Sequence, residues 1–301
     1  MKNFGLIGAA GYIAPRHMKA IKDTGNNLKA AFDPSDSVGI MDSYFPNASF
    51  FTEVERFDRH IDKLRHRGEG LDYLSVCSPN YLHDSHVRLG LRNDCDVICE
   101  KPLVINPKNL NYLKLLEEES GQKINNILQL RLHDSIKQIR QQVKEGPSDK
   151  VYDFDLKYIT SRGLWYHYSW KGDESKSGGL VTNIGIHFFD MLMWIFGDIK
   201  ENIIYTKNKK TVSGLLKLQK ANVEWLLSCD YNKLPEDAKQ SGKRTHRVMT
   251  VNKKKIEFSS GFTELHTKSY KEILKGNGFG LEEARPSIEL VNKIRKSRVS
   301  T

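Results

Sequence analysis

The sequence has little cysteine: Cys77, Cys95, Cys99 and Cys229 are the only four in 301 residues. No two form a C-x-x-C pair, so there is no thiol framework for a stapled fold or a dithiol motif. Cys95 and Cys99 fall in an apolar stretch that reads as a buried strand, and all four are expected to be reduced core thiols. No uninterrupted apolar run is long enough to cross a bilayer. The N-terminus enters an apolar strand almost at once, without a signal-peptide layout. A cytoplasmic protein without a membrane partner is expected. There is no H-E-x-x-H or Cys cluster, and His83 and His86 have no third ligand at a recognisable spacing, so no metal is expected. There is no G-x-S-x-G element either, which leaves a serine hydrolase without support.

What is present is enough for two domains of ordinary size, with 39% hydrophobic and 28% charged residues. The net charge of +10 is spread along the chain, and the largest basic run, Lys253-Lys254-Lys255, reads as a solvated turn between two strands. Nucleic acid is therefore not an expected partner, whereas a small anionic substrate suits a basic chain.

In the first half, short apolar strands alternate with helical patterns. Strands are predicted at Phe4–Ile7, Leu28–Phe32, Leu71–Val76, Asp96–Cys99 and Ile124–Leu130. Helices are predicted from about Ile13, through Ile61 and Leu64, over Leu82–Arg92, and after Asn106-Pro107, with Glu117-Glu118-Glu119 as a solvated face. This alternation predicts a Rossmann-type, doubly wound parallel sheet with both faces covered. The first turn, "GLIGAAGYIA", lacks the middle glycine of G-x-G-x-x-G but joins a strand to a helix, as a dinucleotide-binding turn must. Gly8 permits the tight turn, and Gly11 lets backbone approach a pyrophosphate at the helix N-terminus, with Ala10 small enough to keep that approach close. Asp33 closes the second strand, where a carboxylate bonds ribose hydroxyls and repels a 2′-phosphate, so NAD is preferred over NADP. Tyr205 and Lys209 have the spacing of a short-chain dehydrogenase pair, but they lie in a predicted strand and turn, roughly 13 Å apart.

From Val151 the pattern changes to alternating strands: "YDFDLKYIT", two strands around Lys220-Ala221-Asn222, and a hairpin in "HRVMTVNKKKIEFSS". Two C-terminal helices follow, near Thr263–Leu274 and Leu281–Arg295. The expected architecture is α/β: a dinucleotide-binding domain at 1–123, then an α+β domain with an open, mainly antiparallel sheet at 124–301 that binds substrate and pairs subunits. The segment "SRGLWYHYSWKGDESKSGGL" is aromatic and basic without a period, and a loop of that length inside a domain is usually functional. Arg162, Trp165, Tyr166 and Lys171 within it, with Arg131 at the end of the fifth strand, are candidates for an anionic substrate.

Ligands of such sheets bind beyond the carboxyl ends of the strands. Two polar stretches lie there, "CSPNYLH" and "CEKPL". Together with "GLIGAAGYIA" and "GGLVTNIGIHFFD" they resemble the glucose-fructose oxidoreductase / inositol dehydrogenase superfamily over nearly the whole chain. "YITSRGLWY", "SWKGD" and "GFTELHTKSYKEIL" further resemble the bacterial UDP-N-acetylglucosaminuronate 3-dehydrogenases within it. The resemblance implies NAD as cofactor, held by Gly8, Ala10, Gly11, Tyr12, Ile13, Asp33, Ser78, Pro79, Asn80, His83, Glu100 and Lys101. It implies Lys101 and His187 as the catalytic pair, Asp190 as a structural neighbour of His187, and a Lys101–Pro102 bond that is often cis. Asn183 stands where the superfamily usually has Asp, which removes any carboxylate relay there but fits the subgroup. With Lys101 and His187, Asn183 joins Arg131, Arg162, Trp165, Tyr166 and Lys171 as a substrate residue.

The resemblance implies oxidation of the sugar's 3-hydroxyl in making diacetamido-uronic-acid sugars for lipopolysaccharide O-antigen, by a homodimer or homotetramer. "TNIGIH" runs into an apolar stretch, so His187 is expected near a helix start, where the dipole favours neutral imidazole. Two rival readings are a dehydrogenase of another sugar or cyclitol, and a catalytically silent NAD sensor.

Overall fold

The structure is a computed structural model that describes residues 1–256 and 264–299. Chain contacts divide the described residues into two units, 1–129 with 264–285, and 130–256 with 286–299. The first unit opens with β1 (Asn3–Ile7), α1 (Ala14–Asp23), β2 (Asn27–Phe32), β3 (Ser49–Phe51), α2 (Val54–His66), β4 (Tyr73–Val76), α3 (His83–Arg92), β5 (Asp96–Cys99), α4 (Lys108–Ser120) and β6 (Ile124–Asn126). The strands form one sheet in the order β3-β2-β1-β4-β5-β6, with every pairing parallel. Strand order reverses between β1 and β4, and a crevice at the carboxyl ends opens at such a switch point.

Local chemistry explains the elements. Burial of Phe4, Leu6, Ala31, Leu74, Val97 and Ile98 makes these strands apolar on both faces. Pro15 sits in the first turn of α1, where no N–H is needed. Asn106 accepts a hydrogen bond from the Lys108 N–H ahead of α4, and Gly121 ends that helix in the left-handed conformation. Glu117 is not simply a solvated residue: its Oε1 accepts the Ile124 N–H at 2.7 Å, so it caps the start of β6.

The second unit contains α5 (Asp134–Glu145), β7 (Tyr152–Thr160), α6 (Leu164–Tyr168), α7 (Glu174–Ser177), α8 (Ile186–Phe196), β8 (Ile199–Lys207), β9 (Thr211–Leu218), β10 (Ala221–Ser228), α9 (Glu236–Gln240), β11 (Thr245–Val251) and β12 (Lys254–Lys255). Its sheet runs β12-β11-β7-β10-β9-β8, antiparallel except for β7 with β10. The β9–β10 turn is Gln219-Lys220, one residue earlier than the spacing predicts, and the basic run lies in the β11–β12 turn and edge strand. The expected period-free loop holds two short helices, α6 and α7, the latter capped by Asp173 on the Ser175 N–H. The stretch Glu174–Phe196 is long and apolar enough to cross a membrane by length and composition alone. However, 67% of its apolar window is buried in the fold, as in a core helix.

The chain closes with α10 (Leu265–Leu274) and α11 (Leu281–Lys296). Here the structure departs from the expected division at 123/124. β6 pairs with β5, and α10 packs on α1 with Tyr270 and Ile273 in the first unit's core, so the C-terminal segment returns to the dinucleotide-type unit. Periodicity marks a helix, but not the sheet it covers. Parts of two predicted elements, residues 257–260 of the hairpin and 261–263 before α10, lie outside the described residues.

Candidate active site

The β1–α1 turn is built for close approach of a ligand. Gly8 has a φ of +90°, and a Cβ there would lie 2.6 Å from the Cys77 carbonyl carbon. At Gly11 a Cβ would stand 3.0 Å from the Gly8 oxygen. The turn therefore stays open at the N-terminus of α1, where unpaired N–H groups and the helix dipole favour an anion. Ala10 replaces the usual glycine without disorder: its N–H donates to Asp33 Oδ2 at 3.0 Å. The other oxygen of Asp33 accepts the Ser35 N–H at 2.9 Å, so the half-buried carboxylate is held at the end of β2 by two backbone donors. Its remaining acceptor positions suit two ribose hydroxyls. A dinucleotide fits these residues. Tyr12 is 87% exposed at the same turn, and Ile13 precedes the helix.

Asp33→Ala is expected to weaken NAD binding about tenfold or more and to narrow the preference over NADP, because it removes both the ribose contact and the charge that repels a 2′-phosphate. Isothermal titration with each dinucleotide measures this. Equal NAD and NADP affinity in the unmutated protein contradicts the assignment.

Ser78, Pro79 and Asn80 follow β4, and His83 begins α3. Ser78 and Asn80 are buried. The His83 ring spans two carbonyls, with Nδ1 2.6 Å from Pro102 O and Nε2 2.8 Å from Ser78 O. It thereby joins the loop after β4 to the loop after β5. Burial lowers its pKa, against hydrogen bonding to the two carbonyls. Ser78 Oγ lies 2.8 Å from His86 Nδ1, and burial takes His86 down to about 4. Lys101 follows β5, half-buried, and the Lys101–Pro102 peptide is cis. Glu100, expected to touch the cofactor, is buried instead, and its carboxylate bonds inward to His17 and His266. Neither histidine is singled out as a site residue by the sequence. The one signal was a histidine, His17, on the apolar face of α1.

The buried histidines have a consequence for acid stability. Burial lowers the pKa of His17 and His86. The unfolded chain takes up protons at these sites below about pH 6.5 while the folded chain does not, so stability is present above that pH and is lost as pH falls. His86 alone, neutral in the fold down to about 4, contributes a loss of ~3 kcal/mol between about pH 6.5 and 4. Urea denaturation at several pH values tests this: His86→Gln is expected to flatten the slope, and an identical slope in that variant contradicts it.

In the second unit the structure brings five of the sequence-predicted residues together. Asn183 Nδ2 donates to the Tyr166 hydroxyl at 3.0 Å. The Arg162 guanidinium lies 5.8 Å from the Tyr166 ring, and Trp165 packs edge-on against the same ring. Lys171 sits over Trp170 at 4.3 Å and over Trp165 at 6.0 Å. Burial lowers the Lys171 pKa, and the Arg162 charge pushes the same way. No carboxylate pairs with either cation among the described residues, which leaves two positive charges on an aromatic floor, a setting for an anion. Arg131 does not belong to this group. It is buried, and its guanidinium gives Nε and Nη2 to Asp190 at 2.9 and 2.6 Å. Burial pushes the Asp190 carboxyl up and Arg131 opposes this; two charge-assisted bonds hold the pair ionised. The pair ties Arg131 to α8, the helix that carries His187.

His187 lies in α8, half-buried among buried neighbours. It is not at a helix start. A π-helical turn, Val181–Gly185, entered through Leu180 in helical conformation, feeds directly into α8. The dipole effect fades within the first turn of a helix, so that expectation for His187 loses its basis. The wide turn instead carries Asn183 and sets its register to His187, and such turns recur at functional sites.

Residues 2–126 match the model of the GFO/IDH/MocA oxidoreductase family, NAD-binding Rossmann fold, and residues 140–217 match the same family's C-terminal alpha/beta domain. The fold superposes on the WlbA (WbpB) dehydrogenase from Thermus thermophilus, crystallised with NAD and alpha-ketoglutarate, with a TM-score of 0.96. Identity is 46%, covering 100% of this chain and 97% of that one. The same dehydrogenase crystallised with NAD and UDP-GlcNAcA gives a TM-score of 0.95 at 45% identity over the same shares. Among curated relatives, D-glucoside 3-dehydrogenase of Escherichia coli (strain K12) is 28% identical over 42% of this chain. That match spans 36% of the relative's own length, about a third.

Proposed function

The chain belongs to the GFO/IDH/MocA oxidoreductase family, and from that premise we propose that it oxidises the 3-hydroxyl of UDP-N-acetylglucosaminuronic acid to the 3-keto sugar with NAD. The observation that carries this reading is whole-chain likeness to the Thermus enzyme whose crystals hold NAD and UDP-GlcNAcA. A curated relative named as a glucoside 3-dehydrogenase supports the same ring position.

In this reading, NAD supplies the hydride acceptor when bound. The β1–α1 turn and Asp33 hold the pyrophosphate and ribose. His187 takes the proton of the 3-hydroxyl as general base. Lys101 stabilises the alkoxide as negative charge develops, and because its charge is already in place no reorganisation is needed. Arg162 and Lys171 neutralise substrate anion, and Trp165, Tyr166 and Asn183 fix its pose. Oxidation releases a proton, so the forward direction gains with rising pH. The enzyme works in the cytoplasm as a homodimer or homotetramer in the synthesis of diacetamido-uronic-acid sugars for lipopolysaccharide O-antigen. Light scattering on the purified protein decides the oligomer.

Incubation with NAD and UDP-N-acetylglucosaminuronate, followed by mass spectrometry, is expected to give the 3-keto product. Turnover of free sugars or cyclitols in preference to it moves the assignment to another substrate, and tight NAD binding without turnover on any sugar identifies a sensor. Alpha-ketoglutarate in the Thermus crystals supports one addition: a 2-oxo acid accepts hydride and a proton, becomes the 2-hydroxy acid, and regenerates NAD. Appearance of 2-hydroxyglutarate under limiting NAD tests it.

A further inference from the structure

Behind Lys101 lies a buried polar cluster drawn from four elements. Glu100 follows β5, His17 belongs to α1, Ser75 to β4, and His266 and Tyr270 stand one turn apart on α10. All five are buried, with exposures of 6% for Glu100, 1% for His266 and 0% for the rest. Glu100 Oε1 lies 3.0 Å from His17 Nε2 and 2.8 Å from His266 Nε2. Its Oε2 accepts the backbone N–H of Lys101 at 3.2 Å. His17 Nδ1 is 2.7 Å from the Tyr270 hydroxyl, which is 2.6 Å from Ser75 Oγ.

The contacts to Glu100 admit one proton placement at each Nε2. An ionised carboxylate only accepts, so both Nε2–H groups donate to Oε1. His17 Nδ1 is then bare and accepts from the Tyr270 O–H, and the Tyr270 oxygen accepts from Ser75. Burial alone pushes the Glu100 carboxyl up, but hydrogen bonds from His17 and His266 outweigh it and hold it well below the ordinary range. Burial lowers the His17 pKa and raises that of Tyr270 well above the ordinary value, which keeps both neutral. The Glu100 carboxylate is thus a buried negative charge met by ring N–H groups and not by water. That charge accepts the backbone N–H of Lys101, the next residue in the chain.

We propose that Glu100, His17, His266 and Tyr270 are positioning residues for Lys101: they fix its backbone, supply its buried counter-charge, and tie α1 and α10 to the end of β5. The first unit is then complete only with α10, which explains why the C-terminal segment returns to it. The same three ligand atoms lie within 4.8 Å of one another, a spacing that also suits a divalent cation. A cation needs both Nε2 atoms bare, so the tautomers separate the two cases.

The consequence for turnover rests on the reading of Lys101 as catalytic, so the test has arms that do not. In ¹⁵N-histidine-labelled protein, nitrogen–proton correlation is expected to show His17 and His266 as Nε2–H tautomers from pH 6 to 8. Nδ1–H tautomers, or stoichiometric zinc in the purified protein, overturn the proposal whatever Lys101 does. Glu100→Gln keeps the acceptor oxygen and the volume but not the charge. It is expected to move the alkaline limb of the kcat profile down by about one pH unit and to lower kcat about tenfold, with the KM for NAD within about twofold. A folded Glu100→Gln enzyme with an unchanged profile and kcat overturns the counter-charge. His266→Gln, whose amide N–H stands where Nε2–H stood, is expected to keep kcat within about threefold, while His266→Leu loses about tenfold. Equal, near-normal turnover in both reduces His266 to packing and overturns its role. If Lys101→Ala alone turns over normally while the tautomers are as stated, the failure belongs to the catalytic reading and not to the network.

Discussion

Lys101→Ala is expected to lower kcat on the order of 10²- to 10³-fold, about 3–4 kcal/mol of transition-state stabilisation, while leaving NAD affinity nearly intact. Lys101 leaves β5, an interior strand of an all-parallel sheet, at its carboxyl end. Its backbone is held on one side by the Glu100 carboxylate, and the next residue's carbonyl by His83. A half-buried ammonium on a backbone fixed from both sides is a preorganised positive charge, and such a charge is worth most where alkoxide develops. An arginine at this place keeps the charge but not the compact ammonium, so Lys101→Arg is expected to recover little. Steady-state kinetics with separate kcat and KM decide. A mutant with near-normal kcat and raised KM reassigns Lys101 to uniform substrate binding.

What could be read from the sequence was local. The turn at Gly8, the carboxylate at Asp33 and the polar stretches after β4 and β5 each lie within a few residues of the strand that positions them, so strand and turn are legible together. Readings that failed depended on contacts between distant segments. Glu100 reads as a cofactor residue because its neighbours are; its true partners, His17 and His266, lie 83 and 166 residues away. Arg131 reads as an anion site, whereas Asp190, 59 residues on, takes two of its three guanidinium nitrogens. The α10 periodicity is plain, but nothing local says that it packs on α1. β3 was missed for a different reason: three half-buried residues at a sheet edge give neither an alternating nor a continuous apolar signal. The π-helical turn ahead of α8 is also silent, because "VTNIG" fits an ordinary helix by composition, and the extra residue shows only in the backbone.

That turn bears on the last prediction. His187→Asn is expected to lower kcat by about 10²- to 10⁴-fold and to remove the acid limb of the pH–rate profile. His187 is half-buried, whereas Ile186, Phe188, Phe189 and Asp190 around it are buried, so the imidazole is the most exposed side chain of this stretch. The helix behind it is fixed by the Arg131–Asp190 pair, and the turn before it carries Asn183, held by Tyr166. A base needs a ring in one orientation, and these contacts hold the helix and the turn that carry it. Asn at 187 keeps a polar side chain of similar reach but takes no proton near neutral pH. The remaining rate is therefore expected to be flat across the acid range in which the unmutated enzyme loses activity. A histidine that only fills space gives the opposite pattern. Its replacement lowers the melting temperature, and the surviving folded enzyme keeps both its turnover and its acid limb. Circular dichroism melts alongside the pH profile separate the two. A stable His187→Asn enzyme with most of its neutral-pH turnover would falsify the base assignment and pass the proton to another group, or to a water held by Asn183.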